Sequence, residues 1–268
     1  MEIIQATVIS NVSFFPETAV SLEKRMTDIR LMWLECPTVA REARPGQFVM
    51  VRCGDLTLPR PLSIHQVKND SIALFFAVLR DGKGTKWLSE RRADEKVQVF
   101  GPLGNGFTVD ARARTLLLVA GGMGIAPLSL LATDAASKQL EVTLLLGAHT
   151  GKLVYPRHLL PAGIEVRVAT DDGSSGHRGM VTSLIAEQAE DADQVFACGP
   201  LPMYREMSAN RRSFGIDGKP VQVSIESMMG CGHGVCYGCT VKTRQGLKQV
   251  CKDGPVFEMS DVLWTELS

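Results

Sequence analysis

Four of the seven cysteines fall at Cys231, Cys236, Cys239 and Cys251, a C-x4-C-x2-C-x11-C spacing. The first three lie in the run Cys231-Gly232-His233-Gly234-Val235-Cys236-Tyr237-Gly238-Cys239. Thiolates are soft, anionic donors, so four of them gathered this closely point to a metal centre. The spacing C-x4-C-x2-C with a more distant fourth cysteine is one used for [2Fe–2S] clusters. Such a cluster needs backbone N–H groups close to its sulfurs, and Gly230, Gly232, Gly234 and Gly238 let the chain wrap that tightly. The segment is therefore constrained to be a loop around a centre rather than a helix or a strand.

A structural zinc site is the competing reading of the same residues. It usually shows two C-x2–4-C knuckles, whereas here three cysteines cluster and one stands apart. Redox use of Cys236-x-x-Cys239 fits less well, because that motif opens a helix after a strand and here it is flanked by further cysteines. A disulfide framework belongs to small secreted chains, and this chain has 268 residues.

That length allows two domains or three small ones. Lys+Arg and Asp+Glu are both 29, so charge offers no reason to expect nucleic acid or an anionic membrane as partner. The opening Met1-Glu2-Ile3-Ile4-Gln5 lacks the basic, then apolar pattern of a signal peptide. With unpaired cysteines, this predicts a cytoplasmic protein. Residues 115–133 carry no charge, but Gly121, Gly122, Gly124 and Pro127 interrupt them. A strand, a glycine turn and a helix start describe that stretch better than a membrane span.

Residues 1–108 read as β. Short β-rich runs at 3–9, 29–34, 48–52, 72–79 and 97–100 are separated by turn residues, which predicts an antiparallel barrel or sandwich. A helix is expected over 84–91. Within this part, Arg60 sits between Pro59 and Pro61 on a stiff, extended backbone suited to a phosphate contact. Gly82-Lys83-Gly84-Thr85 precedes the helix and offers free N–H groups to an anion. Taken alone, a loop Arg and a plain helix cap account for both. From 109 to 215 the pattern changes to apolar strands at 116–120, 142–146, 166–169 and 195–197, with helices at 128–136, 181–189 and 203–211. This predicts a parallel sheet with helices on its faces. The turn Gly121-Gly122-Met123-Gly124-Ile125-Ala126-Pro127 and the turns at 170–174 and 198–200 end three strands, so they form a candidate nucleotide crevice. A strand is possible at 221–225, and residues 216–268 form a short third domain with a thin core of its own.

The ordered set resembles the ferredoxin–NADP reductase superfamily, and within it the electron-transfer subunits of type B dihydroorotate dehydrogenase. Arg60-Pro61-Leu62-Ser63 matches the flavin signature Arg-x-x-Ser; Gly121 to Pro127 and Cys198-Gly199-Pro200 match the nucleotide pair. The cysteine run with Ser227 before it, and Val250-Cys251-Lys252-Asp253-Gly254-Pro255-Val256-Phe257 after it, match the subfamily. The resemblance implies a multidomain fold: an antiparallel β-barrel binding FAD (1–108), an α/β parallel-sheet domain binding NAD(H) (109–215) and a [2Fe–2S] domain (216–268). It implies that Arg60, Pro61, Leu62, Ser63, Ala77, Val78, Leu79, Gly84 and Thr85 contact FAD. Gly121, Gly122, Gly124, Pro127, Gly199 and Pro200 would contact the nicotinamide nucleotide, and the four cysteines would ligate the cluster. Leu62 stands where the wider superfamily often carries an aromatic residue.

The implied path runs from NADH through FAD and the cluster to a partner dihydroorotate dehydrogenase subunit carrying FMN, in a heterotetramer serving pyrimidine biosynthesis. Only the flavin exchanges both a hydride and single electrons, so it stands between the other two. No acid or base on this chain is needed, and none is nominated. The alternatives are a similar subunit of a hydrogenase, sulfite reductase or bifurcating transhydrogenase, or a zinc-bearing binding module. NADH is favoured over NADPH because Ala148-His149-Thr150-Gly151-Lys152 offers one Lys and no basic cluster. An apolar face with Val235, Tyr237, Val256 and Phe257 is expected to dock the partner.

Overall fold

The computed structural model describes residues 3–14 and 26–267. Its first part contains β1 (Ile4–Ser13), β2 (Met26–Glu35), β3 (Phe48–Arg52), β4 (Arg60–Lys68), β5 (Ser71–Leu79) and β6 (Lys96–Leu103). Two short helices, α1 (Pro37–Glu42) and α2 (Lys83–Ser89), lie between them. The strands close into an antiparallel barrel in the order β1–β2–β5–β4–β3–β6. β4 is a strand where the sequence reading placed none, although it held Arg60 on a stiff, extended backbone. Proline is tolerated at the start of a strand, and Pro61 pairs opposite Met50 of β3 in an ordinary antiparallel ladder.

β5 serves two layers at once. Successive side chains of a strand point to opposite faces. Ile72, Leu74, Phe76 and Val78 enter the barrel core beside Met32, Leu34 and Ile64. Ala73 and Phe75 point outward, into a second core with Leu116, Leu118 and Ile125. Each fully buried Phe or Leu contributes ~1.5–3 kcal/mol, so the barrel is joined to the rest of the chain by apolar burial.

The second part contains β7 (Thr115–Gly121), α3 (Ile125–Ser137), β8 (Glu141–Ala148), β9 (Glu165–Thr170), β10 (His177–Arg178), α4 (Ile185–Ala189), β11 (Gln194–Cys198) and α5 (Leu201–Ala209). Residues 181–189 form a 3-10 turn before α4 rather than one continuous helix. The last part adds β12 (Val221–Ser224), β13 (Thr240–Thr243), β14 (Gly246–Gln249), α6 (Val250–Asp253) and β15 (Val256–Glu258). One sheet runs β10–β9–β8–β7–β11–β12–β15, parallel except for β15. Chain order reverses between β7 and β11. Their carboxyl ends therefore flank the switch point at which open parallel sheets bind ligands. The tail does not stand on a thin core of its own. Val241, Val250, Met259 and Trp264 bury into one cluster with Met203, Tyr204 and Met207 of α5. Among the described residues no helix is long and apolar enough to cross a membrane.

His65 locks barrel to sheet, and nothing in the sequence marked it. Its ring is fully buried, with Nδ1 at 2.9 Å from the Ala126 carbonyl and Nε2 at 2.7 Å from the Tyr155 hydroxyl. A carbonyl only accepts, so Nδ1–H donates to it and Nε2 accepts the hydrogen bond of the Tyr155 hydroxyl, which makes the ring neutral. Burial pulls its pKa from 6.5 down to about 4, against the Ala126 bond. Above pH 6.5 the ring is neutral folded or unfolded and contributes no pH dependence. Below it the unfolded chain takes up the proton first, so stability falls with pH until the folded ring protonates near pH 4. The loss approaches ~3 kcal/mol. Denaturant unfolding of wild type and His65→Gln between pH 7 and 5 should show the steeper decline in wild type; parallel declines would contradict the assignment.

Candidate functional site

A cavity of about 790 Å³ opens where the three parts meet. Arg60, Pro61, Leu62 and Ser63 of β4 line it, with Ala77 and Leu79 of β5 and Thr85 of α2. Val78 does not, because strand alternation turns it into the barrel core. Gly84 makes room for Arg60. A Cβ there would stand 2.5 Å from Arg60 Nε, so glycine leaves room for the arginine to lie across the start of α2. Arg60 Nη1 donates to the Leu58 carbonyl at 2.6 Å, which fixes the guanidinium at the cavity edge.

On the sheet side, the turn after β7 and the turn after β11 are pressed together. A Cβ on Gly199 would lie 3.1 Å from Gly121 Cα, and one on Gly124 would fall 1.8 Å from the Cys198 carbonyl oxygen. Gly122 has φ +54° and no atom within 4 Å of where its Cβ would be, so this part of the turn faces open space. The Tyr204 hydroxyl accepts the Gly199 N–H at 2.9 Å and donates to the Ser224 carbonyl at 2.6 Å, fixing the turn that carries Pro200. Pro127 is buried in the first turn of α3.

Sequence reasoning missed much of the tail's share of the cavity. Ser224, Ile225, Glu226, Met228 and Met229 line it along with Ser227 and Pro255, and so do Met123, Ala126 and Cys198. Glu226 faces the cavity and is reached by solvent, yet the surrounding walls displace enough water to raise its carboxyl pKa. Cys198 is fully buried, and burial with the nearby Glu226 keeps its thiol protonated. These residues come together only through the strand order β7–β11–β12. Local signals were present for Ser227, for Pro255 in the Val250–Phe257 run, and for Met123, Ala126 and Cys198 in the two turn motifs, but not for Ser224, Ile225, Glu226, Met228 and Met229.

The cysteine loop lies against the barrel. A Cβ on Gly232, where φ is +76°, would meet Met50 Cγ at 2.6 Å. Cys239 and Cys251 are buried, Cys231 is half-buried and Cys236 is exposed. Backbone N–H groups converge on the sulfurs: Gly234 donates to Cys251 Sγ at 3.1 Å, and Cys251 to Cys239 Sγ at 3.4 Å. Burial acts to raise the Cys231 thiol, but bonds from His233, Cys236 and Val235 outweigh it and bring the pKa down to about 6. Burial, then the adjoining Cys239, push Cys251 up to about 12. Cys251 is influenced by Cys231 as well as by Cys239, so the four thiols belong to one site. Among the described residues, no three His, Cys, Asp or Glu side chains close on a single ion. Four cysteines at this spacing, with backbone N–H groups donating to the sulfurs of Cys239 and Cys251, fit a [2Fe–2S] cluster.

A barrel and a nucleotide sheet meeting at one cavity make this an oxidoreductase of the ferredoxin–NADP reductase type. Its fold superposes with TM-score 0.83 on an NADH-dependent reduced ferredoxin-NADP oxidoreductase solved in a study of flavin-based electron bifurcation (30% identity, covering 98% of this chain and 91% of that one). A ferredoxin NADP+ reductase from Neisseria gonorrhoeae shares the fold at TM-score 0.65 and 14% identity, over 80% of this chain and 92% of that one. Residues 226–263 match the model of the iron-sulfur cluster binding domain of dihydroorotate dehydrogenase B. The dihydroorotate dehydrogenase B (NAD(+)) electron transfer subunit of Geobacillus thermodenitrificans is 38% identical over 233 residues, covering 84% of this chain and 89% of the relative. That of Desulforamulus reducens is 38% identical over 245 residues, covering 87% and 92%. The chain belongs to the family of dihydroorotate dehydrogenase B electron transfer subunits.

Proposed function

We propose that this chain carries electrons between NAD(H) and a catalytic dihydroorotate dehydrogenase subunit, using FAD in the 790 Å³ cavity and a [2Fe–2S] cluster on the cysteine loop. The observation that carries the reading is that one cavity draws walls from all three parts of the chain. When bound, the flavin supplies the exchange between two-electron and one-electron chemistry, and the cluster supplies the one-electron outlet. Arg60, with its planar fork held across Gly84, would grip the flavin pyrophosphate. Ser63, Ala77, Leu79 and Thr85 would bound the flavin on the barrel side. The paired turns at Gly121–Gly124 and Gly199–Pro200 would hold the nicotinamide nucleotide. Cys231, Cys236, Cys239 and Cys251 would ligate the cluster. NADH is preferred over NADPH in this reading. Asp171 and Asp172 follow β9 at the same sheet edge, and a 2′-phosphate there would meet their carboxylates.

The partner subunit would carry FMN and assemble with this chain as a heterotetramer in the cytoplasm. Exposed Val235, Tyr237 and Met228, at 65%, 66% and 90% of full exposure, offer it an apolar surface beside the cysteine loop. Val256 and Phe257 do not join that surface: Val256 is buried and Phe257 packs against the interior cluster. A bifurcating reductase role is the second reading, favoured by the high structural similarity to such an enzyme. The four intact cysteines favour the dihydroorotate pathway.

The test uses anaerobically purified chain. About two irons and two labile sulfides per chain are expected, together with bound FAD and NADH-driven reduction of artificial one-electron acceptors. Orotate should form from dihydroorotate only after the catalytic subunit is added. Zinc without labile sulfide, or orotate formed by this chain alone, would overturn the reading.

A further inference from the structure

We propose that Asn105 is a positioning residue, a clamp that fixes the cluster-bearing tail to the flavin-binding barrel. This rests on the functional reading above. Asn105 follows β6 on the segment that leaves the barrel, and the chain there is shaped to present it. Gly104 and Gly106 flank it with φ +81° and +75°, values favourable to glycine. A Cβ on Gly104 would stand 2.4 Å from Pro255 Cδ, and one on Gly106 would stand 2.7 Å from the Pro45 carbonyl oxygen. The turn is thus packed against the tail on one side and the barrel on the other.

Four hydrogen bonds cross from Asn105 to the tail. Its backbone N–H donates to the Gly254 carbonyl at 2.7 Å. The side-chain Nδ2 donates to the carbonyls of Val256, at 2.8 Å, and Asp253, at 3.2 Å. Oδ1 accepts the Val256 N–H at 3.2 Å. The side-chain amide therefore reads both polar groups of Val256, as a neighbouring strand would, at the edge of the seven-stranded sheet. The clamped residues begin two positions after Cys251, whose sulfur is also tied to Gly234. Pro255, on the cavity wall, keeps a separate tether through the Ile225 N–H at 2.8 Å. Loosening Asn105 should therefore disturb the cluster side while sparing the flavin pocket. Electron tunnelling falls steeply with distance, so a tail free to shift exchanges electrons with the flavin more slowly.

The experiment compares the full-length holoprotein with Asn105→Ala and Asn105→Asp. The Asp variant keeps the acceptor for Val256 N–H but sets a carboxylate oxygen against two carbonyls. Hydrogen–deuterium exchange across 250–258 should accelerate about tenfold in the Ala variant, and more in Asp, with barrel peptides unchanged. Rapid mixing with NADH should give flavin bleaching at the wild-type rate and cluster reduction slowed by about tenfold, the scale on which ångström misplacements act. Unchanged exchange, or equal slowing of both phases, would overturn the clamp. So would loss of flavin or iron from either variant, since that would make Asn105 part of a binding site. Wild-type protein lacking flavin or labile sulfide would instead refute the functional reading, leaving the exchange result to stand by itself.

Discussion

Cys236→Ser is expected to abolish the cluster while leaving flavin reduction by NADH intact. Serine offers a hard alkoxide in place of a soft thiolate, and it is hardly deprotonated near neutrality, so one ligand is lost. Cys236 is the suitable position because it is exposed. Replacing it opens no cavity, whereas Cys239 and Cys251 lie in the core shared with Met203 and Tyr204. The tail as a whole need not unfold, since β12 and β15 are held in the large sheet independently of the loop. The result is informative because the tail lines the cavity proposed for the flavin through Ser224 to Met229 and Pro255. Stopped-flow bleaching of the flavin should proceed as in wild type, with no reducible cluster signal and no labile sulfide. Loss of bleaching in a variant that still binds FAD would mean that the cysteine loop helps to build the hydride site.

How far the sequence could be read depended on how local each feature was. β3 is a short apolar run with valine at alternate positions, and its bounds, Phe48–Arg52, agree with the expectation. The turn after β7 was legible because glycine density and the uncharged strand before it are local. β4 was not, since Pro59 and Pro61 favour a loop reading and the pairing of Pro61 with Met50 is decided by a distant strand. Val78 was grouped with Ala77 and Leu79 as one run, although period-two alternation sends it into the barrel. His65, Asn105 and Glu226 carry no local signature. Each matters through a contact more than 60 residues away or through strand order, as in the bonds of His65 to Ala126 and Tyr155 and those of Asn105 to Val256. The tail's core was judged thin from its length, but its side chains bury against α5.

Gly124→Ala is expected to close the crevice proposed for the nicotinamide nucleotide. Gly124 has φ −60° and ψ −13°, a conformation open to any residue, so the consequence is purely steric. The new methyl would fall 1.8 Å from the Cys198 carbonyl oxygen and 2.3 Å from its carbon. Both are backbone atoms at the end of β11, a strand buried along its whole length between β7 and β12. No flexible side-chain end can move aside, so the two turns must part by roughly an ångström or more, which as overpacking costs ~1–3 kcal/mol or beyond. Tyr204 resists the separation, because its hydroxyl holds Gly199 to Ser224. A displacement of that size at a hydride-transfer site can cost ~10²-fold in rate. NADH-dependent bleaching of the flavin should slow on that scale, while dithionite should still reduce both flavin and cluster. Wild-type bleaching in Gly124→Ala would place the nicotinamide away from the junction of these two turns.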